Sequence, residues 1–142
     1  MQEITWKYGS PLSDEVVREV ESELQVVFPP DYRSVVAEHN GGRPKPNAVR
    51  IPDNREAVVE RLMRLDAGRG ENVASAAAML RSRGQGQLVP FASDPFGNLF
   101  CFDFVRKAPS AIVYWEHESG SVSTVCRTFS ELLALLRPPS SR

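Results

Sequence analysis

Residues 88–104 read LVPFASDPFGNLFCFDF, and this stretch decides the fold of the chain. Two apolar runs flank the segment DPFGN, in which proline presets one backbone dihedral and glycine or asparagine supplies a positive one. Apolar runs separated by such a segment are typical of two antiparallel strands joined by a tight turn. The stretch therefore predicts a β-hairpin whose turn lies at residues 94–98.

The second strand of this hairpin is rich in aromatic residues but contains one acid, Asp103. Alternation places Phe100, Phe102 and Phe104 on one face and Asp103 on the other. We interpret Asp103 as a solvent-facing residue of a one-sided sheet. The alternative is a polar residue that pairs with a loop amide or contacts a partner.

The strand pattern continues beyond the hairpin. A turn at residues 107–110 leads into AIVYWEHE (111–118), and a turn at 118–121 leads into VSTVCR (122–127). Thr128 and Glu131 form a predicted capping box, in which each side chain bonds the other residue's backbone amide, at the start of a final helix. Successive strands joined by short turns predict an antiparallel meander.

The N-terminal third predicts two helices. Ser13 is suited to cap an acidic helix with an apolar stripe, and Pro30 is suited to the first turn of a second helix. Asn40-Gly41-Gly42 should end that second helix, because Asn and Gly accept left-handed backbone. The two elements form a predicted helical hairpin.

The middle of the chain is less regular. Residues 43–55 read as a loop with at most a short strand at 48–51. The spacing of apolar residues in 56–66 leans towards a helix, although a strand also fits. Asn72 is suited to cap a third helix that ends at Gly84. The predicted class is α+β, with an antiparallel sheet of about four to six strands flanked by helices.

The chain has 142 residues, of which 42% are apolar and 25% charged, as in an ordinary globular domain. We expect a single domain over 1–137 and a frayed tail over 138–142. The net charge of −1 argues against a dedicated nucleic-acid-binding protein. That value is a cancellation, because residues 1–42 carry a net −5 and residues 43–69 a net +3.

No secretory signal or long apolar segment is visible, and the expected compartment is the cytoplasm. Cys101 and Cys126 lie in apolar surroundings and are interpreted as buried, reduced thiols. A disulfide between them stays open at this stage, because the sequence does not show whether their strands are neighbours.

No catalytic, phosphate-binding or metal-binding motif is present, and no cofactor is expected. His39 is interpreted as a packed or helix-capping residue, and His117 lies at a strand end between two glutamates. A metal site would need His117 together with Asp94 or Asp103. A small hydrolase or ligand-binding enzyme that uses Asp94, Asp103 and His117 is one alternative function.

Four aromatic residues outside the hairpin are interpreted as core or rim residues: Trp6, Tyr8, Tyr114 and Trp115. Exposed aromatic side chains often dominate protein–protein binding. One or two of the four are therefore candidate interface anchors.

Four segments now fall in a recognisable order: FPPDYRSVVAEHNGG (28–42), LVPFASDPFGNLFCFDF (88–104), IVYWEHE (112–118) and TFSELLALL (128–136). This order resembles the SUKH superfamily, the Smi/Knr-like or cell-wall-assembly-regulator family. The resemblance implies an α+β fold and favours a strand for part of 57–66. It also implies that the motif residues are structural, namely Pro30, Tyr32, Asn40, Gly41, Gly42, Gly97 and Trp115.

The resemblance further implies a non-catalytic role as a binding protein. Many bacterial members are immunity proteins that bind a cognate polymorphic toxin, often a nuclease, and eukaryotic relatives are regulatory interaction proteins. The expected partner is a protein, without direct nucleic-acid or membrane binding, and the chain itself is expected to be a monomer or weak homodimer. The candidate partner-binding residues are Asp94, Asn98, Asp103, Glu116 and His117, with the acidic first helix as the alternative surface.

Overall fold

The computed structural model describes residues 3–66, 71–105 and 109–140. Along the chain the elements are β1 (Thr5–Lys7), α1 (Asp14–Leu24), α2 (Pro30–His39), β2 (Arg43–Lys45), β3 (Ala48–Ile51), β4 (Arg55–Val58), β5 (Arg61–Leu62), α3 (Val73–Ser82), β6 (Leu88–Ser93), β7 (Leu99–Asp103), β8 (Ala111–Trp115), β9 (Val122–Cys126) and α4 (Phe129–Leu135).

The predicted hairpin, β6 and β7, lies within a five-stranded sheet with the order β5-β6-β7-β8-β9. Every neighbouring pair in this sheet is antiparallel. Two smaller antiparallel pairs, β1–β2 and β3–β4, accompany it. The meander and the α+β class are therefore confirmed.

The central strands are buried on both faces. Leu99, Phe100, Cys101 and Phe102 are each at most 4% exposed. The expectation of a one-sided sheet is therefore wrong, and Asp103 is half-buried rather than fully solvent-facing. One carboxylate oxygen of Asp103, Oδ1, is buried and has no hydrogen-bond partner among the described residues.

An aromatic cluster joins the helices to the sheet. Phe102 stacks on Phe91 with ring centroids 4.3 Å apart and meets Tyr32 of α2 edge-on at 5.2 Å. Phe129 of α4 meets Tyr32 and Phe91 edge-on. Burial raises the pKa of the Tyr32 hydroxyl, which acts as part of the core.

The predicted helix starts are confirmed by their caps. Ser13 accepts the Val16 amide at 3.3 Å, Pro30 opens α2, and Asn72 forms a reciprocal capping box with Ser75. At α4 Thr128 accepts the Glu131 amide, as expected. The return bond differs, because the Glu131 carboxylate accepts the amide of Arg127 rather than that of Thr128.

In the middle of the chain the sequence-based expectations are confirmed only in part. The short strand allowed at 48–51 is present as β3, whereas β2 was not expected in the loop over 43–55. Residues 55–62 form β4 and β5, which confirms the strand that the family resemblance favoured over the helix towards which the spacing leans. The reason is tertiary: Glu60 donates its amide to the Ser93 carbonyl, and Met63 donates to Phe91, both at 2.8 Å. These amides bond a distant strand rather than the local carbonyls that a helix would use.

Cys101 and Cys126 are free thiols on β7 and β9. Because β8 separates these strands, their backbones lie about 9.6 Å apart, which is too far for a disulfide.

The predicted turn at 107–110 lies partly outside the described residues. No helix of the described chain is long and apolar enough to cross a membrane.

Asn40, which follows α2, connects three parts of the fold. Its side chain is fully buried, accepts the Leu65 amide at 2.9 Å and donates to Asp66 at 2.9 Å. Its backbone exchanges two hydrogen bonds with Ser10. Gly41 then takes a φ of +78°, and a Cβ on Gly42 would lie 2.9 Å from the His39 carbonyl oxygen.

We expect Asn40→Ala to lower the free energy of unfolding by about 3 kcal/mol, because it leaves the buried Leu65 amide without an acceptor. Urea denaturation measures the loss. Asn47→Ala is the matched control, since the buried Oδ1 of Asn47 accepts no hydrogen bond from the described residues. Equal losses in the two variants would contradict a bridging role for Asn40.

Candidate functional site

The β6–β7 turn is built around Asp94, which is only 5% exposed. Its Oδ1 accepts the amides of Phe96 and Asn98, both at 2.8 Å. Its Oδ2 accepts the side-chain amide of Asn98 at 3.0 Å and the hydroxyl of Tyr114 at 2.5 Å. Both oxygens of this carboxylate therefore serve the turn itself.

Tyr114, on the neighbouring strand β8, anchors this hydrogen-bond network to the sheet. Its hydroxyl donates to Asp94 and accepts the side-chain amide of Asn98 at 2.9 Å. Burial, reinforced by the bond to Asp94, raises the pKa of the Tyr114 hydroxyl. The hydroxyl therefore stays protonated and acts as a fixed donor.

Asn98 links the turn to the loop that follows β8. Its Oδ1 accepts the His117 amide at 3.0 Å and lies 2.9 Å from His117 Nδ1. Gly97 lies beneath the same imidazole ring, with a φ of +91°, and a Cβ there would approach the ring to 3.4 Å. The ring of His117 is thereby held in place while the residue remains exposed.

Glu116 is held by a cation from another part of the chain. Arg55 at the start of β4 donates to both of its carboxylate oxygens, at 3.0 and 3.2 Å. The hydrogen bond to Glu116 raises the pKa of Arg55. The charge of the Glu116 carboxylate, which the sequence analysis assigned to partner binding, is therefore largely neutralised within the chain.

Four of the five candidate residues meet at this end of the sheet, which we call the hairpin-end surface: Asp94, Asn98, Glu116 and His117. Asp103 lies at the other end of β7, about 13 Å of strand beyond Leu99. Asp103 therefore shares no cleft with Asp94 and His117. A hydrolytic site formed by these three side chains is excluded by this separation, because acid–base groups must reach one substrate.

The residue that sequence reasoning missed is Phe96. Its side chain is 76% exposed at the tip of the turn. It lines a groove of about 540 Å³ together with Asn98, Glu116, His117, Glu118 and Ser119. The signal was available, because a large aromatic residue stood between proline and glycine in an otherwise polar turn.

The motif residues lie where a structural role requires them. Tyr32 and Trp115 are at most 2% exposed, and Pro30 opens α2. His39 is a packed residue, whose ring stacks on Trp6 at 5.4 Å. Within residues 3–66, 71–105 and 109–140, no three His, Cys, Asp or Glu side chains converge as metal ligands would.

The fold and the order of its motifs can now be compared with known proteins. No curated protein matches the chain significantly. A SUKH family model, described as SMI1-KNR4 cell-wall, matches residues 14–133. This match spans the helical hairpin, the five-stranded sheet and most of α4. The chain therefore belongs to the SMI1-KNR4 family of the SUKH superfamily.

Proposed function

We propose that this chain is a non-catalytic bacterial immunity protein that binds and neutralises a cognate polymorphic toxin in the cytoplasm. Membership of the SUKH superfamily supports a protein-binding role. The observation that carries the proposed surface is Phe96, an aromatic side chain 76% exposed on a turn that is held by hydrogen bonds. Exposed aromatic anchors often supply much of the free energy of protein binding.

The hairpin-end surface has the form that such a contact needs. Phe96 offers apolar area, and the neighbouring His117 and Glu118 offer polar groups along the same groove. The bonds from Asp94 and Asn98 hold the turn before the partner arrives. Preorganisation of this kind reduces the entropy lost on binding.

The exposed acids of α1 suggest which toxins fit best. Glu15, Glu19 and Glu23 are exposed, whereas Asp14 and Glu21 pair with Arg33. A nuclease has a basic cleft for nucleic acid, and an acidic helix is electrostatically complementary to such a cleft. We therefore propose a nuclease as the toxin class, with α1 as the alternative contact surface.

The family description favours a second candidate function, a regulatory interaction protein of the cell-wall-assembly-regulator type. Co-expression with the product of the adjacent gene separates the two. Relief of toxicity together with a stable complex supports the immunity function. A neighbour without toxicity, and capture of a defined endogenous regulatory partner instead, would favour the second.

Phe96→Ser should weaken the complex with the toxin about thirtyfold, because it removes an anchor worth about 2 kcal/mol. Titration calorimetry measures the affinity. Leu135→Ser is the matched control, since Leu135 is 46% exposed on α4, away from the turn. Equal affinities for Phe96→Ser and the unmodified chain would contradict the hairpin-end surface.

A further inference from the structure

Tyr8, which follows β1, departs from ordinary core behaviour in two ways. It has a φ of +66°, a left-handed conformation that is costly for a residue with a side chain. Its ring is 81% exposed. Neither feature is needed for core packing, and strained, exposed residues of this kind concentrate at functional sites.

The neighbouring backbone explains how this conformation is enforced. A Cβ on Gly9 would lie 2.9 Å from the Cα of His39, so the chain here runs directly against the end of α2. Ser10 then exchanges backbone hydrogen bonds with Asn40. This close approach directs the ring of Tyr8 outward, over the guanidinium of Arg43 at 5.8 Å.

Strand pairing assembles bases around Tyr8. Lys7 lies directly opposite Arg43 in the β1–β2 pair, and Lys45 lies opposite Thr5 on the same face. Trp6 and Pro44 occupy the other face, which packs inward. Like charges directly opposite each other destabilise a strand pair. An anion bound on this face would relieve that repulsion.

Arg61 and Arg64 extend this face. They line a groove of about 360 Å³ together with Tyr8, Gly41 and Arg43. Two acids neutralise part of the charge: Asp66 contacts Arg64 at 3.0 Å, and Glu60 lies 3.9 Å from Arg43. Among the described residues no ion pair involves Lys7, Lys45 or Arg61.

We propose that Tyr8, Lys7, Arg43, Lys45, Arg61 and Arg64 form a cationic surface that binds an acidic peptide segment of a protein partner. Five bases against Glu60 and Asp66 leave this surface with a net charge of +3. Arginine forks match carboxylates in a bidentate geometry, and the tyrosine supplies the aromatic contact.

A protein segment fits this surface better than a nucleic acid does. The groove accommodates a few side chains, and one exposed aromatic provides a single stacking position rather than a series. The net charge of the chain is −1, which disfavours a long polyanion. An acidic peptide needs only local charge complementarity.

This surface shares no residue with the one proposed for the toxin, although the two surfaces are neighbours at β5. Arg61 pairs with Ser93, the residue before Asp94. The proposal does not rest on the immunity function. It would stand if the chain bound no toxin, because it depends only on the charge and exposure of this face.

The test uses fluorescence anisotropy of the full chain with a labelled oligo-glutamate peptide at low and physiological salt. Arg61→Glu should weaken binding about tenfold, and the unmodified chain should lose affinity as salt is raised. Arg50→Glu is the control, because Arg50 is exposed on β3 and its replacement changes the net charge of the chain by the same amount. Equal losses of peptide affinity in the two variants would overturn the proposal, because they would indicate attraction by the overall charge of the chain rather than by this surface.

A second variant and a second probe make the test specific. Tyr8→Gly should weaken peptide binding severalfold without lowering the melting temperature, because glycine adopts the same φ without strain. Unchanged binding by Tyr8→Gly would remove the tyrosine from the surface and overturn the proposal. Tighter binding of an oligonucleotide with the same charge as the peptide would overturn the choice of partner.

Discussion

Asp94→Ala should lower the free energy of unfolding by about 4 kcal/mol and abolish binding of the partner. The carboxylate accepts four hydrogen bonds, from the amides of Phe96 and Asn98, the side chain of Asn98 and the hydroxyl of Tyr114. All four donors lose their acceptor in the variant, and the turn that presents Phe96 loses its support. Chemical denaturation and calorimetric titration with the partner measure the two effects.

Asp94→Asn is the matched control for this prediction. It retains an oxygen for the two backbone amides, but its NH₂ group cannot accept from Tyr114 or from the Asn98 side chain, so about half of the loss is expected. Weaker binding by Asp94→Ala with unchanged stability would contradict a supporting role. That result would indicate that Asp94 contacts the partner directly.

Phe102→Ala should lower the free energy of unfolding by about 4 kcal/mol. The side chain is 1% exposed and contacts the rings of Phe28, Tyr32 and Phe91, so its removal leaves a cavity in the aromatic cluster. Urea or guanidinium unfolding measures the change.

Phe96→Ala provides the comparison within the same residue type. Because Phe96 is 76% exposed, its truncation should change stability by no more than about 0.5 kcal/mol. A loss below about 2 kcal/mol for Phe102→Ala would contradict the assignment of the aromatic cluster as the centre of the core.

The local parts of the fold were predictable from short stretches of sequence. The backbone bonds of the DPFGN turn, the caps at Ser13 and Asn72 and the positive φ of Gly41 each depend on residues within five positions of one another. Turn and capping chemistry is local, so a sequence window contains the whole interaction.

Between residues 43 and 62 the sequence indicated a short strand at 48–51, which is β3, but the other strands were not predictable in this way. β3 and β4 pair with each other, but β2 pairs with β1, and the amides flanking β5 bond Ser93 and Phe91, about 30 residues away, so no local window contains both sides of those pairs. Helical spacing in 56–66 was a real pattern, but tertiary pairing overrode it. The family resemblance favoured a strand where periodicity leaned towards a helix and left both structures open.

The candidate site shows the same division. The sequence identified Asn98 and His117, which do meet in the structure, because turn residues and strand ends collect at the same edge of a meander. It offered Asp94, Glu116 and Asp103 as exposed acids. Asp94 is buried in its own turn, Glu116 is paired with Arg55, and Asp103 lies at the other end of β7.

By itself, then, the sequence determined the hairpin, the meander, the helix caps and the family order, because each depends on local periodicity or turn chemistry. Only the tertiary structure decided which charges are free. Arg55 reaches Glu116 across 61 positions, and Lys7 meets Arg43 only through strand pairing. The neutralisation of a charge and the accumulation of like charges both arise from contacts between residues that are distant in the sequence. For that reason the neutralisation of Glu116 and the cationic surface around Tyr8 emerge only once the chain is folded.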